Sequence, residues 1–430
     1  LKLIIFFKLY LLILMKKKSI LNIILLILAA ETVFMLPYII SRVFRPTVLE
    51  LFEISNTELG ICFSTYGFVA ILSYLIGGPL ADRYPPRKLM STSLILTSLG
   101  GLYYANYPGF LGLKILYAYW GFTTVFLFWS PMIKATRIWG DNDSQTLAFG
   151  LLEGGRGIIG AIIASVCIMI FSLLITEFNS KIDLQEKREA FSKVIFFTSF
   201  FVASVSILVW KYMKFFIPKN KNYVVEKFSF KKFKSVQKLY SVRLIMVIIL
   251  CAYVGYKTTD IISLYANKIM DYNEVESAKI STFLLYLRPT IAILIAIFLS
   301  KFKATIMLII SFTFTLIGSL FFSLKLISIN QELLFLFSTT LLGIGIYSAR
   351  TLYFSVMKRG NIPINLTGTA VGFISIIGYT PDIFSGPLYG YFLDQYSGIK
   401  GQSIVFTILT IFSFIGIIAS IKFYNKFENS

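Results

Sequence analysis

A few charged residues stand inside stretches of this chain that are otherwise apolar, and any chemistry must start from them. The cations are Arg42, Arg156, Lys257, Arg288 and Arg350; the acids are Glu31, Glu153, Asp260 and Asp382. A charge in hydrocarbon costs several kcal/mol, roughly, unless it is paired or reaches water, so each one marks a candidate site. A guanidinium offers a flat fork of donors that fits a carboxylate or phosphate edge-on. Arg42, Lys257, Arg288 and Arg350 are therefore candidate ligands for an anion. Glu31, Glu153, Asp260 and Asp382, with Arg156, are candidates for coupling to a proton or for balancing those cations. Two pairs, Glu153 with Arg156 and Lys257 with Asp260, are spaced i,i+3 and share a helix face, so mutual neutralisation is the other reading of them. Arg288 precedes Pro289, where a kink is expected. Arg350 follows Gly343 and Gly345, in a stretch expected to pack loosely. Either could face a water-filled cavity.

Other chemistries are poorly served. The chain has no histidine, which removes the commonest general base, zinc ligand and near-neutral proton relay. Cys62, Cys167 and Cys251 all fall in apolar blocks and form neither a disulfide framework nor a metal spacing. No nucleophile–base arrangement, metal cluster or phosphate-cradling loop is evident, so no enzyme, cofactor or metal is expected. A net charge of +20 on a soluble protein would suggest nucleic acid. Here its distribution argues for topology instead.

The elements that must position these charges are membrane helices. The chain of 430 residues is 57% hydrophobic and 14% charged, with mean hydropathy +0.77. A soluble domain carries about a quarter charged residues. The apolar blocks run to about 18–25 residues, long enough to cross a bilayer, and lipid forces such blocks into helices. The alternation of a β-barrel is missing. Spans are expected near 19–41, 57–79, 88–107, 110–133, 147–176, 192–216, 242–267, 279–300, 304–327, 332–357, 366–392 and 402–424. This is an all-α polytopic fold of twelve helices in two six-helix halves, 19–216 and 242–424. A basic linker, 217–241, joins the halves, and 425–430 forms a tail. Residues 1–18 are read as an N-terminal segment in which Met15 is the initiator, with Lys16, Lys17 and Lys18 as its anchor. The side holding both termini and the linker carries about twice as many basic residues as the other, which puts both termini in the cytoplasm. The linker also has the charge to touch anionic lipid.

Two patterns refine this. The fifth span opens with Ala148-Phe149-Gly150 and the eleventh with Ala370-Val371-Gly372, and both continue through small residues: Gly154, Gly155, Gly157 and Gly160 against Gly378, Ser385, Gly386 and Gly390. Small residues permit close helix approach, and two halves in the same direction are parallel repeats with a site between them. Between spans two and three runs Gly78-Pro-Leu-Ala-Asp82-Arg83-Tyr-Pro-Pro-Arg87-Lys88. An acid at a helix end followed by a basic cluster is a conformational latch, in which Asp82 accepts from a helix N-terminus or an arginine while Arg83, Arg87 and Lys88 hold helix C-termini.

This loop resembles the signature loop of the major facilitator superfamily, G-x-x-x-D-R-x-G-R-R/K, with Pro85 and Pro86 in place of the usual Gly-Arg. The form D-R-x-x-P-R is similar to that of the organophosphate:phosphate antiporter branch. Trp129-Ser130-Pro131 with Trp139, Ser55 to Gly60, and Gly378-Tyr379 with Ser385-Gly386-Pro387 and Asp394 are similar to stretches of the same branch. So is Tyr38-Ile-Ile-Ser-Arg42, whose arginine the resemblance implies would help bind substrate phosphate. The branch's seventh-span arginine has no counterpart; Lys257 is the nearest cation. Tyr74 lies near the place of a second-span lysine.

The expected function is secondary transport of a small organic anion, phosphorylated or carboxylated, by alternating access in a bacterial inner membrane. The partners would be the substrate, a coupling ion and the lipid bilayer, with the protein a monomer and no nucleic acid involved. The alternatives are proton-coupled movement of a neutral or cationic compound anchored by Glu31, and a transporter-like solute sensor.

Overall fold

Lipid offers a backbone no hydrogen-bond partners, so an apolar chain must satisfy them within helices. The computed structural model describes residues 20–140, 145–175, 184–214, 237–295, 302–360, 362 and 367–428. Among the described residues there are helices and no strands, arranged as the expected all-α bundle of twelve rods. Eight rods are long and apolar enough to cross a membrane: Ile20–Val43, Phe110–Gly140, Ala148–Leu174, Leu184–Tyr212, Tyr240–Lys268, Ala304–Ser323, Glu332–Leu352 and Ile399–Phe427. The second (Asn56–Arg83), third (Pro86–Tyr104), eighth (Glu274–Leu294) and eleventh (Thr367–Gly378 with Pro381–Gln395) are richer in polar or small residues.

Several rods are irregular, and the irregularities fall beside the charges. The first changes to a π-turn over Met35–Ile39, around Pro37, which has no N–H to give. The seventh tightens to a 3-10 turn over Thr259–Ile261, which carries Asp260. The eleventh breaks at Tyr379 and Thr380 before Pro381, next to Asp382. Its sequence counterpart, the fifth, runs unbroken over Gln145–Leu174. The eighth also runs unbroken through Pro289.

Buried side chains form two hydrophobic clusters. One is drawn mainly from Ile23 to Met213, the other from Val242 to Phe423. Between them the second rod packs on the eleventh, the fifth on the eighth, and the first on the seventh. Glycine makes these crossings close. A Cβ on Gly60 would overlap the Gly386 carbonyl, and one on Gly390 would overlap the Asn56 backbone. The stretch before Arg350 corrects an expectation: it is tight, not loose. Gly345 lies against Ser311 and Thr315, and Gly343 against Leu284 and Leu287.

The end away from the termini is tied shut. Ser55 and Asn273 start the second and eighth rods with capping boxes completed by Glu58 and Glu276. Lys187, at the start of the sixth rod, pairs with Glu50 at 3.1 Å and reaches across to Glu274 of the eighth at 2.8 Å. Arg188 pairs with Glu53 at 2.6 Å. In the loop before the eighth rod, burial and the Glu332 carboxylate together push Tyr272 up to about 12, so its hydroxyl stays a donor to Glu332.

Candidate functional site

The charges inside the rods meet in two networks at the seam between the hydrophobic clusters. In the first, Arg156 of the fifth rod bonds Glu31 of the first at 3.0 Å and Glu153, one turn before it, at 2.7 Å. Arg288 of the eighth bonds the same two carboxylates, at 3.5 Å and 2.9 Å. Two guanidiniums and two carboxylates form a closed, neutral set. Glu31 is 3% exposed, whereas the Glu153 side chain is 48% exposed. This half-open carboxylate is gripped from both sides of the seam. Removing one partner from such a buried set costs about 3–5 kcal/mol, because the other charge is stranded.

In the second network, Arg42 of the first rod donates to Asp260 of the seventh at 2.5 Å, and its backbone carbonyl accepts from Ser263 at 2.9 Å. Lys257 lies 3.3 Å from Asp260 and 3.3 Å from Asp382 of the eleventh. Tyr253 donates to Asp382 at 3.0 Å. Lys257 also sits over the rings of Tyr38, 4.7 Å from its centroid, and Phe63 at 5.1 Å, while Tyr38 stacks on Phe63. Ring faces attract a cation and lower the cost of its burial. Arg42 is 4% exposed, so it is a partner inside the seam and not a side chain reaching for the interface.

Arg350 of the tenth rod differs. Its guanidinium carbon lies 3.7 Å from the centroid of Tyr256, whose hydroxyl accepts from Arg42 at 3.1 Å. The rings of Tyr253 and Tyr379 continue the wall, with Tyr353 bonded to Tyr379 at 3.3 Å. Among the described residues Arg350 has no carboxylate partner, and its Nη1 is buried with no hydrogen bond. One face of the fork is thus covered by a ring while its edge is unused.

Of the four cations expected to gather, Arg42 and Lys257 share Asp260, and Arg42 and Arg350 share Tyr256. Arg288 belongs to the other network. Both i,i+3 pairs form, but each is extended by a partner from the other side of the seam. At the end of the second rod, the surroundings of Gly78 and the side chains of Asp82 and Arg83 lie outside the described residues. Arg87 sits over the Trp210 ring at 5.7 Å, and the Lys88 N–H donates to the Pro85 carbonyl. The end of the second rod is gripped by Lys134, which donates to the Ala81 carbonyl at 2.6 Å.

Several residues were missed in the sequence. Arg45 is 3% exposed and donates twice to the Asn56 side-chain oxygen, at 3.1 and 3.3 Å. Asp394 of the eleventh rod accepts from the Asn56 backbone at 3.0 Å and side chain at 3.1 Å, and from Thr57 at 2.7 Å and 2.6 Å. Arg45 lies one turn after Arg42. Tyr253 and Tyr256 stand at i and i+3 before Lys257 and Asp260 at i+4 and i+7, one stripe of a single helix face. That stripe was the signal available for the tyrosine wall.

Comparisons agree with this architecture. The chain is 27% identical over 413 residues to inner membrane protein YihN of Escherichia coli (strain K12), covering 94% of each. It is 24% identical over 371 residues to inner membrane protein YqcE of the same strain, covering 82% of each. Among solved structures, it is similar to the nucleoside transporter NupG with TM-score 0.68 at 13% identity, covering 95% of this chain and 100% of that one. It is also similar to a bacterial homologue of the human lysosomal transporter Spinster in an inward-facing, unoccupied conformation, with TM-score 0.69 at 14% identity and coverage of 95% and 97%. At such identities these likenesses speak for the fold alone. The family model of the Major Facilitator Superfamily matches residues 19–383, most of the chain, and with the twelve-rod bundle on the page, the protein belongs to that superfamily.

Proposed function

We propose that the protein carries a small organic anion across a bacterial inner membrane by alternating access. Family membership gives the coarse half of that reading, a secondary transporter and not an enzyme. The observation that carries the finer half is Arg350: a guanidinium at the seam, backed by Tyr256, with a donor that no protein group takes. An incoming carboxylate or phosphate would supply the missing acceptor, edge-on, with Arg42 and Lys257 close behind it. Tyr38 would act through the Lys257 cation. The part-exposed carboxylates Glu153 and Asp382 are the groups best placed to exchange a coupling proton or to balance charge, with Glu31, Arg156 and Asp260 holding the networks around them.

The halves 19–216 and 242–424 would rock about this seam. The separate hydrophobic clusters and the ties at the end away from the termini support that motion, with the structure closed at that end. Positive charge gathered around the termini and the 217–241 linker supports a cytoplasmic location for both, and the E. coli relatives are inner membrane proteins. One chain contributes both walls of the site, which supports a working monomer. Affinity to the organophosphate:phosphate antiporter branch rests on Tyr38, Arg42 and the loop at Asp82. A cation anchored by Glu31 is less well supported, since Arg156 and Arg288 already engage that carboxylate.

The test is uptake into proteoliposomes by wild type and Arg350→Ala, with a panel of carboxylates, phosphate esters, neutral sugars and organic cations. The expected result is uptake of one or more anions that Arg350→Ala abolishes with the fold intact. Anion uptake unchanged in Arg350→Ala, or uptake confined to cations, would overturn the proposal.

A further inference from the structure

We infer that the site selects a solute with a single negative charge over one with two; this rests on the anion reading above and deepens it. The argument is a balance of charge at the seam. Arg42, Arg156, Lys257, Arg288 and Arg350 set five positive charges against the four of Glu31, Glu153, Asp260 and Asp382. Arg45 and Asp394, joined through Asn56, add one charge of each sign and leave the difference unchanged. The first network is neutral, and so is Arg42 with Lys257, Asp260 and Asp382. The whole surplus is one charge, and it resides on Arg350.

A site in a membrane must pass through a closed state, and there water no longer screens it. Interactions between charges then grow several-fold over their values in water. An uncompensated charge in such a space is costly, while a neutral set is not. One bound negative charge makes the loaded seam neutral. A second would leave the seam at minus one; the Tyr347 hydroxyl, also buried without a hydrogen bond, could donate to it but carries no charge to offset it. The other cations are already held by carboxylates at 2.5–3.5 Å. A dianion would have to break one of those pairs to find its second partner. Geometry agrees with the charge count. Tyr256 covers one face of the Arg350 fork, so the anion meets its edge, where one carboxylate, sulfonate or singly ionised phosphate fits.

The rule makes an unusual demand on variants: removing a carboxylate from the seam should change the valence that is preferred. Asp382→Asn and Glu153→Gln each leave a surplus of two. Both residues are part-exposed, at 21% and 48% of the side chain, so they are the least risky carboxylates to alter.

The experiment measures ligand-induced thermal shifts of the purified full-length protein at fixed ionic strength and at a pH where every probe is fully ionised. The probes are two size-matched pairs: methanesulfonate against sulfate, and malonamate against malonate. They are run on wild type, Arg350→Ala, Asp382→Asn and Glu153→Gln. In wild type the monoanion of each pair should bind more tightly, by on the order of tenfold for one uncompensated charge near the site. Arg350→Ala should abolish the response. At least one carboxylate variant should move the ratio toward the dianion by a similar factor. Tighter binding of sulfate and malonate to wild type, or a ratio unmoved in both carboxylate variants while they still bind, overturns the valence rule and leaves the anion reading standing. No Arg350-dependent response to any of the four removes the anion reading itself, and the rule with it.

Discussion

A guanidinium held 2.5 Å from a carboxylate in a nearly closed space makes a contact whose loss strands the partner. Asp260 serves two such cations, Arg42 and Lys257. Asp260→Asn should therefore destabilise the protein by about 3–5 kcal/mol, read as a fall in Tm in detergent. The double variant Arg42→Met with Asp260→Leu should recover part of that loss, because an apolar pair of similar volume strands only Lys257, which keeps Asp382. A double variant as unstable as Asp260→Asn would show that the pair is not the source of the effect. The charges themselves were legible in the sequence, because an Arg or Glu inside an apolar run is conspicuous. Their partners were not. Arg42 and Asp260 are 218 positions apart, and nothing local to either names the other. The i,i+3 pairs were legible for the opposite reason, since one helix turn brings them together whatever the fold. Arg45 went unseen because it sits just past an apolar block, where a cation ordinarily meets water.

Among the elements, the second and eleventh rods carry the closest crossing, and its lock is Asp394. This carboxylate accepts four hydrogen bonds from Asn56 and Thr57 at the end away from the termini. Asp394→Asn replaces one acceptor oxygen with a donor, so two of those bonds turn into donor facing donor. The closed end should open more often. Spin labels on cysteines placed at the exposed positions Asn106 and Asp271, one on each side of the seam, should then show a longer distance population. An unchanged distance distribution would rule the lock out. The tie through Lys187 consists of side-chain ion pairs alone, with Glu50 open to solvent, whereas Asp394 also takes two backbone N–H groups. Lys187→Ala should move the same distribution less, since exposed pairs contribute roughly 0–1 kcal/mol, and 1 M salt should remove what it does contribute. The rods were legible from block length and hydropathy. Their breaks were only partly so. Proline stands at two of them, Pro37 and Pro381, yet the proline singled out in the sequence, Pro289, lies in a helix that runs on, and the turn at Thr259–Ile261 has no proline or glycine.

For the whole molecule, the tethers at mid-depth run across the seam, from Arg42 to Asp260 and from Arg288 to Glu31 and Glu153. This has a consequence for how the chain is made. The first six rods emerge from the ribosome and enter the lipid before Asp260 and Arg288 exist. Until then Arg42 has no carboxylate, and Arg156 alone must answer two acids. That intermediate carries charges in hydrocarbon that only the second half can neutralise. It should linger near water or a chaperone and be a good substrate for membrane proteases. Expressed alone, residues up to the linker should be degraded quickly. Co-expressed with the remainder as a separate polypeptide, they should be rescued, and pulse–chase lifetimes of the two arrangements would measure the difference. Asp260→Asn on the second fragment should weaken that rescue. The ion pairs across the seam would then double as a checkpoint in biogenesis, by which the membrane keeps only chains whose two halves have met.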